Sequence, residues 1–427
     1  MLRADNSAST PEQRLRRCYD EAIRAVQPER ALGRALPSLA APTSSCWIIS
    51  VGKASTGMAN GIATWLAASG QAPAGGIIVG AEDHPPPHRA LRVMTGDHPI
   101  PGERSAAAAA AIGKTIDQIP RGASVHVAIS GGASALIAGP LPGLTADDVV
   151  RTFKALLSSG LDINEMNAIR KRVTAWSAGR LAAALTGRDL HVWVISDVPG
   201  DDLGSIASGP CTGDAWTRDD VARLVDEHDL ADALTPAVRS ALTRETLKPG
   251  ASELAGVEPV IVASNRTAVD AAADAARELG WQAQVMTPGL RGDASRMGRE
   301  VGMALDARAD AQSVFIWGGE TTVTIGAAAG TGGRAQELAL AAASELAQRD
   351  RAAIVLSAGT DGRDGPTDAA GAIVDGKTWG RIEAAGRDPG KDLAQHDAYP
   401  ALDAVGALMR TGPTGTNVTD LVLGTTP

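Results

Sequence analysis

The chain has few of the residues that mark several large classes of protein. Only 3 of its 427 residues are cysteines, and 3% are aromatic. Cys18, Cys46 and Cys211 lie far apart without a CxxC pair, which fits neither a disulfide framework nor a zinc site and suits a reducing cytoplasm. So few aromatic rings also leave little surface on which nucleic-acid bases could stack.

Positive charge and long apolar runs are lacking as well. Lys and Arg total 40 against 49 Asp and Glu, a net charge of −9, which disfavours nucleic acid as a partner but still allows a small anionic ligand. The sequence has no run of 18 apolar residues and no apolar core of the signal-peptide type at its N-terminus. We therefore expect a cytoplasmic protein that binds neither membranes nor nucleic acids.

What the chain does have is a repeated alternation of short apolar runs with alanine-rich helical patterns. Near-continuous apolar strands separated by helices favour parallel sheets covered on both faces, an α/β fold. The length predicts two or three domains, and the poorly periodic stretch around Lys248-Pro-Gly250 is the best boundary. The predicted organisation is a disordered tail over 1–11, an N-terminal α/β (Rossmann-like) domain over 12–245, a linker over 246–258 and a C-terminal α/β domain over 259–427. The predicted strands are 46–51, 76–79, 91–94, 125–129, 191–195, 260–263, 284–286, 313–317, 353–356 and 417–423.

One acidic loop follows a predicted strand. The stretch 357–368 contains Asp361, Asp364 and Asp368 together with three glycines. Open α/β sheets bind ligands where strands end in such loops, and Mg²⁺ uses only one or two carboxylates beside water and phosphate. The alternative is a solvated turn kept open by Gly and Asp.

Two further loops have the composition of anion sites. Gly52-Lys53-Ala-Ser55 places a lysine at a strand-to-helix junction, and Ser130-Gly-Gly-Ala-Ser134 lets the backbone approach a carboxylate or phosphate closely. The alternatives are a lysine on a solvated helix start and a tight turn needed only for packing. Asp197, after another strand, is a candidate base or metal contact, and His98 is a weaker site candidate.

Arg334 is predicted at the start of a helix, after Trp317-Gly-Gly-Glu320 and Gly330-Thr-Gly-Gly333. A cation there opposes the helix dipole, so an anionic ligand is favoured unless Glu320 or Glu337 pairs with the arginine.

The stretch 371–378 matches the phosphate-loop pattern GxxxxGK[ST] but is rejected as a phosphate loop, because β-branched Ile373 and Val374 favour strand. No loop reads GxGxxG, the dinucleotide fingerprint.

Taken together, these motifs resemble the class II glycerate 2-kinases, whose C-terminal half is the MOFRL domain. The resemblance runs in order from about residue 12 to 424. The stretches that carry it are Val51-Gly-Lys-Ala54, His98-Pro-Ile-Pro101, 130–134, Asn167-Ala-Ile-Arg-Lys171, 196–203, 206–210, 332–334 with 336–340, 357–371 and 411–417.

The resemblance implies ATP-dependent, Mg²⁺-supported (or Mn²⁺-supported) phosphorylation of D-glycerate at its 2-hydroxyl, in a cleft between two three-layer α/β domains with largely parallel sheets. Lys53 and Arg334 match the family's main catalytic cations. Ala335 stands where the family often has Asn, a departure that removes an amide beside Arg334. On this basis the catalytic residues are Lys53, Arg334 and Asp197, and the metal ligands Asp361, Glu320 and Asp364. The substrate- or nucleotide-binding residues are Ser130, Gly131, Gly132, Ser134, Asn265, Gly318, Gly319, Gly333 and Thr360, although for Asn265 capping of a helix is the simpler interpretation.

Alternatives stay open at this point. They are a hydroxypyruvate reductase using NAD(P)H, a kinase for another small hydroxy acid, and a sugar-acid-binding regulator without catalysis. The sequence fixes neither the nucleotide nor the oligomeric state, and a homodimer stays open.

Overall fold

The computed structural model describes residues 9–40, 42–306, 312–326 and 330–426, which form two compact units. The N-terminal unit comprises residues 28–262, and the C-terminal unit comprises the described residues up to Gln27 and from Ala263 onward. The predicted tail over 1–11 lies outside the described residues up to position 8, and Pro11 already begins a helix. None of the described helices is long and apolar enough to cross a membrane.

The N-terminal unit is built on a parallel sheet. Within the described residues its strand order is β3-β2-β1-β4-β5-β6, and the pairs recorded between β3 and β5 are all parallel. The order 3-2-1-4-5-6 is that of Rossmann-type sheets, in which ligands bind beyond the carboxyl ends of the strands. The strands are β1 (Cys46–Val51), β2 (Gly75–Gly80), β3 (Leu91–Thr95), β4 (Ser124–Ile129), β5 (Asp189–Ile195) and β6 (Pro259–Ala263).

The helices of this unit cover a sheet whose central strands β1, β2 and β4 are almost wholly buried, as continuous apolar runs predict. The alanine run 106–111 lies within a helix, as expected from its sequence. The helices are α2 (Pro28–Ala35), α3 (Ser55–Ala68), α4 (Glu103–Gln118), α5 (Ala133–Leu136), α6 (Ala146–Leu157), α7 (Ile163–Arg170), α8 (Arg180–Ala184), α9 (Arg218–Glu227) and α10 (Pro236–Leu242), with 3-10 turns at Leu36–Ser38, Ile206–Ser208 and Ser252–Leu254.

The C-terminal unit has a mixed sheet of order β11-β10-β9-β12-β8-β7 within the described residues. β7 and β8 are parallel, whereas β12 runs antiparallel to β8 and β9, and β10 runs antiparallel to β9 and β11. The α/β class is confirmed, with two reversed strands in this second sheet. The strands are β7 (Gln282–Val285), β8 (Ser313–Gly319), β9 (Ile354–Gly359), β10 (Gly371–Asp375), β11 (Leu408–Met409) and β12 (Asp420–Thr425).

The long helix α13 (Arg334–Gln348) is buried along most of its length, which its alanine-rich sequence allows. The stretch 371–378, which matches the phosphate-loop pattern, forms strand β10 and a turn before the next helix. Its rejection as a phosphate loop is confirmed. The other helices are α1 (Pro11–Ala25), α11 (Asn265–Glu278), α12 (Ala294–Asp306), α14 (Thr378–Ala384), α15 (Pro389–Ala394) and α16 (Ala398–Asp403).

Two boundaries differ from the domain limits expected from sequence. Helix α1, which begins with a capping box at Thr10, belongs to the C-terminal unit, where the Tyr19 hydroxyl donates to the Gly359 carbonyl at 2.6 Å. Residues 246–258 are no free linker, because the Asp214 amide donates to the Leu247 carbonyl at 2.7 Å within the N-terminal unit. Long-range hydrogen bonds of this kind leave no trace in local composition.

Candidate functional site

Two turns at neighbouring strand ends position Lys53. β1 and β4 are adjacent in the sheet, so the turns that follow them meet. The Lys53 amide donates to the Gly131 carbonyl at 2.9 Å, and the Ala54 amide donates to the Ser130 hydroxyl at 3.0 Å. Gly52 has φ +118°, and a Cβ there would lie 2.2 Å from the Ser130 hydroxyl oxygen. Only glycine fits at position 52, and the backbone of Lys53 is thereby fixed while its side chain is exposed.

Asp197 and His98 approach the same glycines. A Cβ on Gly131 would lie 1.7 Å from Asp197 Oδ2, and a Cβ on Gly132 would lie 3.3 Å from both His98 Nε2 and Lys53 Cγ. Asp197 follows β5, the strand beside β4. Lys53, Gly131 and Asp197 therefore follow three adjacent parallel strands. We call Lys53, His98, Asp197 and the Gly131–Gly132 backbone the Lys53 centre. It combines an ammonium, an imidazole and a carboxylate around a floor without side chains.

Burial shifts the two titratable neighbours of Lys53 in opposite directions. It raises the pKa of Asp197, and the nearby Lys53 only partly opposes this. It lowers the pKa of His98 to about 4, and repulsion from Lys53 adds to the effect. At neutral pH His98 is therefore a neutral imidazole, and the Asp197 carboxylate is a stronger base than an ordinary aspartate.

The two serines predicted to contact a ligand have structural roles in the fold. Ser130 is buried and holds the Lys53 turn, and the Ser134 hydroxyl lies 2.9 Å from that of Ser208. Gly132 adopts a left-handed conformation, but α5, which follows it, has only four residues. A helix so short offers an anion little dipole, so the exposed Lys53 side chain is the remaining candidate for anion binding in this turn.

Arg334, the first residue of α13, is paired inside the C-terminal unit. Its Nε and Nη2 donate to the two Asp420 carboxylate oxygens at 2.6 and 3.0 Å, and its Nη1 contacts the Glu320 carboxylate. The alternative that Glu320 pairs with this arginine is confirmed. Glu337 instead lies 2.8 Å from His396. Thus carboxylates of the protein, rather than a ligand alone, offset the conflict between Arg334 and the helix dipole.

Asp420 is the residue that sequence reasoning missed. It begins β12 opposite Gly319 and Gly359, where β8 and β9 end, and its side chain is 5% exposed. Burial raises the pKa of Asp420, and Arg334 partly opposes the shift. A carboxylate inside the apolar run 417–423 was the available signal, since charged groups are rarely buried without a partner. We call Arg334, Glu320, Asp420 and Asp361 the Arg334 centre.

Several predicted ligand-binding residues of this unit are used by the fold itself. The Asn265 amide donates to the Val418 and Asp420 carbonyls at 2.9 and 3.0 Å, and the helix cap is Ser264, so the capping interpretation of Asn265 is wrong. The Thr360 hydroxyl is fully buried and donates to the Thr419 carbonyl at 2.6 Å. The glycines are sites of close approach: a Cβ would lie 1.9 Å from Asn265 Oδ1 at Gly318, 2.4 Å from the Leu290 carbonyl oxygen at Gly319 and 2.3 Å from Asp364 Oδ1 at Gly333.

The predicted metal ligands have separate roles. The Asp364 carboxylate accepts from the Ala335 and Gln336 amides at 3.1 and 2.8 Å, which caps α13. Burial raises the pKa of Asp364 to about 7 despite these bonds. Glu320 contacts Arg334, which leaves Asp361, whose Oδ1 accepts from the Arg363 amide at 3.0 Å. Across the described residues, no three His, Cys, Asp or Glu side chains are grouped to hold a metal ion.

The three cations at positions 170–172 are buried. Lys171 and Arg172 each lie 3.1 Å from an oxygen of Asp214, and the Arg170 guanidinium stacks on Phe153 at 4.6 Å. Arg172 is among the largest fully buried side chains of the described chain. Asp214 is more than forty residues away from Lys171 and Arg172 along the chain, so no local sequence pattern reveals these ion pairs.

Comparison with known proteins shows to which family the chain belongs. A family model described as a domain of unknown function (DUF4147) matches residues 14–243, and the MOFRL family model matches residues 313–420. A glycerate 2-kinase of Pyrococcus horikoshii is 36% identical over 88% of this chain and 86% of its own length, and a D-glycerate 2-kinase of Thermotoga maritima is 35% identical over 95% of both. The chain belongs to the glycerate 2-kinase family.

A solved structure supports the same family assignment. The crystal structure of a glycerate kinase from Thermotoga maritima matches with a TM-score of 0.87 and 34% identity, over 98% of this chain and 100% of that one. An Agrobacterium vitis protein named as a candidate hydroxypyruvate reductase is 38% identical over 96% of this chain and 93% of its own length. The family resemblance inferred from the motifs is confirmed. Because this relative is named as a reductase, hydroxypyruvate reduction is a second activity to test.

Proposed function

We propose that this protein is an ATP-dependent kinase that phosphorylates D-glycerate at its 2-hydroxyl to give 2-phosphoglycerate. The observation that carries the proposal is the Lys53 centre, where an ammonium, a neutral imidazole and a basic carboxylate meet over the Gly131–Gly132 backbone, which carries no side chains. These groups suit the transfer of a phosphoryl group to an alcohol. Membership of the glycerate 2-kinase family supports the choice of acceptor.

Phosphoryl transfer needs positioning and charge neutralisation more than strong base catalysis, because its transition state is loose. In the proposed mechanism the Lys53 ammonium offsets the negative charge of the transferring group. Its backbone is fixed by Gly131, so the ammonium needs little reorganisation beyond its flexible stem. Asp197 accepts a hydrogen bond from the attacking 2-hydroxyl and takes its proton as the new bond forms.

Arg334 is proposed to bind an anionic group of the reactants. Its Asp420 partner is buried, whereas the Glu320 side chain is 32% exposed. An arriving carboxylate or phosphate would therefore replace Glu320 at the guanidinium and leave the Asp420 pair intact. The buried pair keeps the guanidinium in place, since Asp420 binds it through two oxygens.

Among the predicted metal ligands, the Asp361 carboxylate is the one that fits Mg²⁺. Asp361 neither pairs with Arg334 nor caps a helix, and a Cβ on Gly359 would lie 3.2 Å from its Oδ1 and 3.4 Å from Asp420 Oδ1. Hard oxygen donors suit Mg²⁺, which binds with one or two carboxylates when phosphate oxygens complete its shell. Asp361 would hold the ion, which when bound neutralises charge on the phosphates.

A reductase acting on hydroxypyruvate is the second candidate, since the N-terminal sheet has the strand order of dinucleotide-binding folds. The turn after β1 opposes it. That turn reads Gly52-Lys53-Ala-Ser55 without the GxGxxG glycines, and Lys53 replaces the close backbone approach that a dinucleotide pyrophosphate requires.

The deciding experiment is an ADP-release assay over three- and four-carbon hydroxy acids, with the phosphorylated carbon assigned by NMR. We expect turnover with D-glycerate and phosphate on carbon 2, in a reaction that requires Mg²⁺ or Mn²⁺. Phosphate on carbon 3 would reject the proposed regiochemistry, and preference for a four-carbon acid would reject the substrate. Hydroxypyruvate-dependent oxidation of NADH without ADP release would replace the kinase by the reductase.

A further inference from the structure

The N-terminal unit contains a cavity of about 510 Å³ that none of the roles above explains. It lies beside the segment that follows β5, because Val198 and Pro199 line it and Asp197 directly precedes them. Consecutive Cα atoms are about 3.8 Å apart, so the cavity begins next to the Lys53 centre. Drug-sized ligands occupy pockets of roughly 300–1,000 Å³, and a three-carbon acid fills only a small part of such a volume.

The walls of the cavity are mostly apolar and include one aromatic ring. Trp216, Leu203 and Pro249 line it together with Val198, and Ile163 lies at its edge with 50% of its surface exposed. The Trp216 carbonyl accepts from the buried Arg172 at 2.8 Å, which fixes this part of the wall. A flat, weakly polar ring system is the ligand group that such walls accommodate.

Two polar side chains supply directional contacts. The Asp202 carboxylate accepts from the Gly204 amide at 3.1 Å and from the Ser205 hydroxyl at 2.6 Å, and it is exposed. Asn164 Oδ1 lies 2.8 Å from the same Ser205 hydroxyl, while its amide nitrogen donates to no group of the described residues. A carboxylate binds ribose hydroxyls in nucleotide sites and repels an anionic acid. A side-chain amide can donate to a ring nitrogen of a base.

The buried lysine of the cavity is neutralised internally. Lys171 Nζ lies 3.1 Å from Asp214 Oδ1, and its side chain is 6% exposed. The cavity therefore offers no unpaired cation to a phosphate or carboxylate among the described residues. The charge that a polyphosphate needs lies outside it, at Lys53.

We infer that this cavity binds the nucleoside part of the phosphoryl donor, with the base against Trp216 and the ribose on Asp202. The inference rests on the proposed kinase function and names the part of the same site that takes the donor. The phosphates leave the cavity past Val198 and reach Lys53. Donor selection is thereby separated from the acceptor, which binds outside this cavity.

Two substitutions fill the cavity without touching the proposed catalytic residues. Ala215 lines it and is exposed, so Ala215→Trp places an indole at its entrance. A Cβ on Gly204 would lie 3.4 Å from Asp202 Oδ1 and 3.8 Å from Lys171 Nζ, ordinary contact distances, so Gly204→Leu enters from another side. Ala233→Trp, at an exposed alanine outside the lining, is the matched control.

The readout is the dissociation constant of ADP by calorimetry, with thermal unfolding to confirm that each variant is folded. Both filling substitutions should weaken ADP binding at least about tenfold and raise the KM for ATP in parallel, with the KM for glycerate unchanged. The control should bind ADP as the parent does. Unchanged ADP affinity in both folded variants, or an effect on the KM for glycerate alone, would overturn the inference.

A second arm tests the ribose contact. The parent protein should bind ADP more tightly than 2′-deoxy-ADP, and Asp202→Asn should reduce this preference. Equal binding of the two nucleotides by the parent would contradict the assignment of the ribose to Asp202. Calorimetry needs no turnover, so absence of glycerate phosphorylation would refute the proposed function while this test still reports on the cavity. Normal kinase turnover with unaffected ADP binding would refute the cavity assignment alone.

Discussion

Lys53 and Arg334 are both cations just beyond the ends of strands, yet their surroundings differ. The Lys53 side chain is exposed, and no described residue forms an ion pair with it, whereas Arg334 donates to Asp420 and contacts Glu320. At the Lys53 centre the backbone is fixed and the ammonium can move. At the Arg334 centre the charged group itself is fixed. Under the proposed function, Lys53 would therefore follow a group that moves during transfer, and Arg334 would hold an anionic group that stays in place.

The sharpest way to break this comparison is Lys53→Ala. It should lower kcat/KM by about two orders of magnitude, since loss of one group that stabilises transition-state charge typically costs about 3 kcal/mol. The fold should survive because the side chain is exposed. Steady-state ADP release and thermal unfolding measure the two effects. Lys114→Ala, at another exposed lysine on α4, is the control, and equal turnover of the two variants would remove Lys53 from the mechanism.

Asp420→Asn tests whether Arg334 is held by a stabilising pair. We expect a loss of roughly 2 kcal/mol in the free energy of unfolding, less than for a fully buried pair because the Arg334 side chain is 35% exposed. Urea denaturation measures the loss. Glu320→Gln removes the more exposed partner and should cost about 0.5 kcal/mol or less. If both variants were equally stable, Asp420 would not be the residue that anchors the arginine.

Asp197→Asn sharpens the description of the Lys53 centre. We expect kcat to fall about tenfold, near the low end for proton transfer because the transition state is loose. Burial raises the pKa of Asp197, and the base must be ionised, so parent activity should decline as pH falls through that raised value. The variant should lose this acid limb.

Asp201→Asn is the matched control for the same loop. Asp201 has φ +57°, a conformation that Asn tolerates. It should keep both the rate and the pH profile of the parent. An acid limb that persists in Asp197→Asn would assign the titration to another group.

Asp364→Asn tests the pH dependence of stability rather than the rate. The pKa of Asp364 in the folded protein is raised to about 7 from its ordinary 3.8, so the folded state binds more protons than the unfolded state between these values. This group therefore lowers parent stability as pH rises from about 4 to 7. The stability of the variant relative to the parent should increase over the same range.

Asp220→Asn provides the opposite sign at another helix start. Hydrogen bonds from Thr217 lower the pKa of Asp220, so its contribution to stability is present above the ordinary pKa and is lost in acid. Denaturation at several pH values would compare the two variants. A slope of the same sign in both would show that burial does not control Asp364.

The sequence alone determined the elements and the turns that bear the site. Continuous apolar runs predicted β1, β4 and β5, and the glycine-lysine and glycine-glycine turns after β1 and β4 indicated where an anion would bind. These features are local: strand formation depends on neighbouring side chains, and glycines mark positions where a Cβ would clash. The family was likewise readable, because its motifs occur in one order along the chain.

Only the tertiary structure decided which charges are neutralised inside the protein. Asp420 reaches Arg334 because β12 runs back between β8 and β9, and Asp214 reaches Lys171 and Arg172 across more than forty residues. It also made Asp364 a helix cap and Thr360 the donor of a buried hydrogen bond, roles that depend on residues distant in sequence. The physical reason is range: hydrophobic periodicity acts between neighbours in sequence, whereas ion pairs form between groups that meet only after the sheet is assembled.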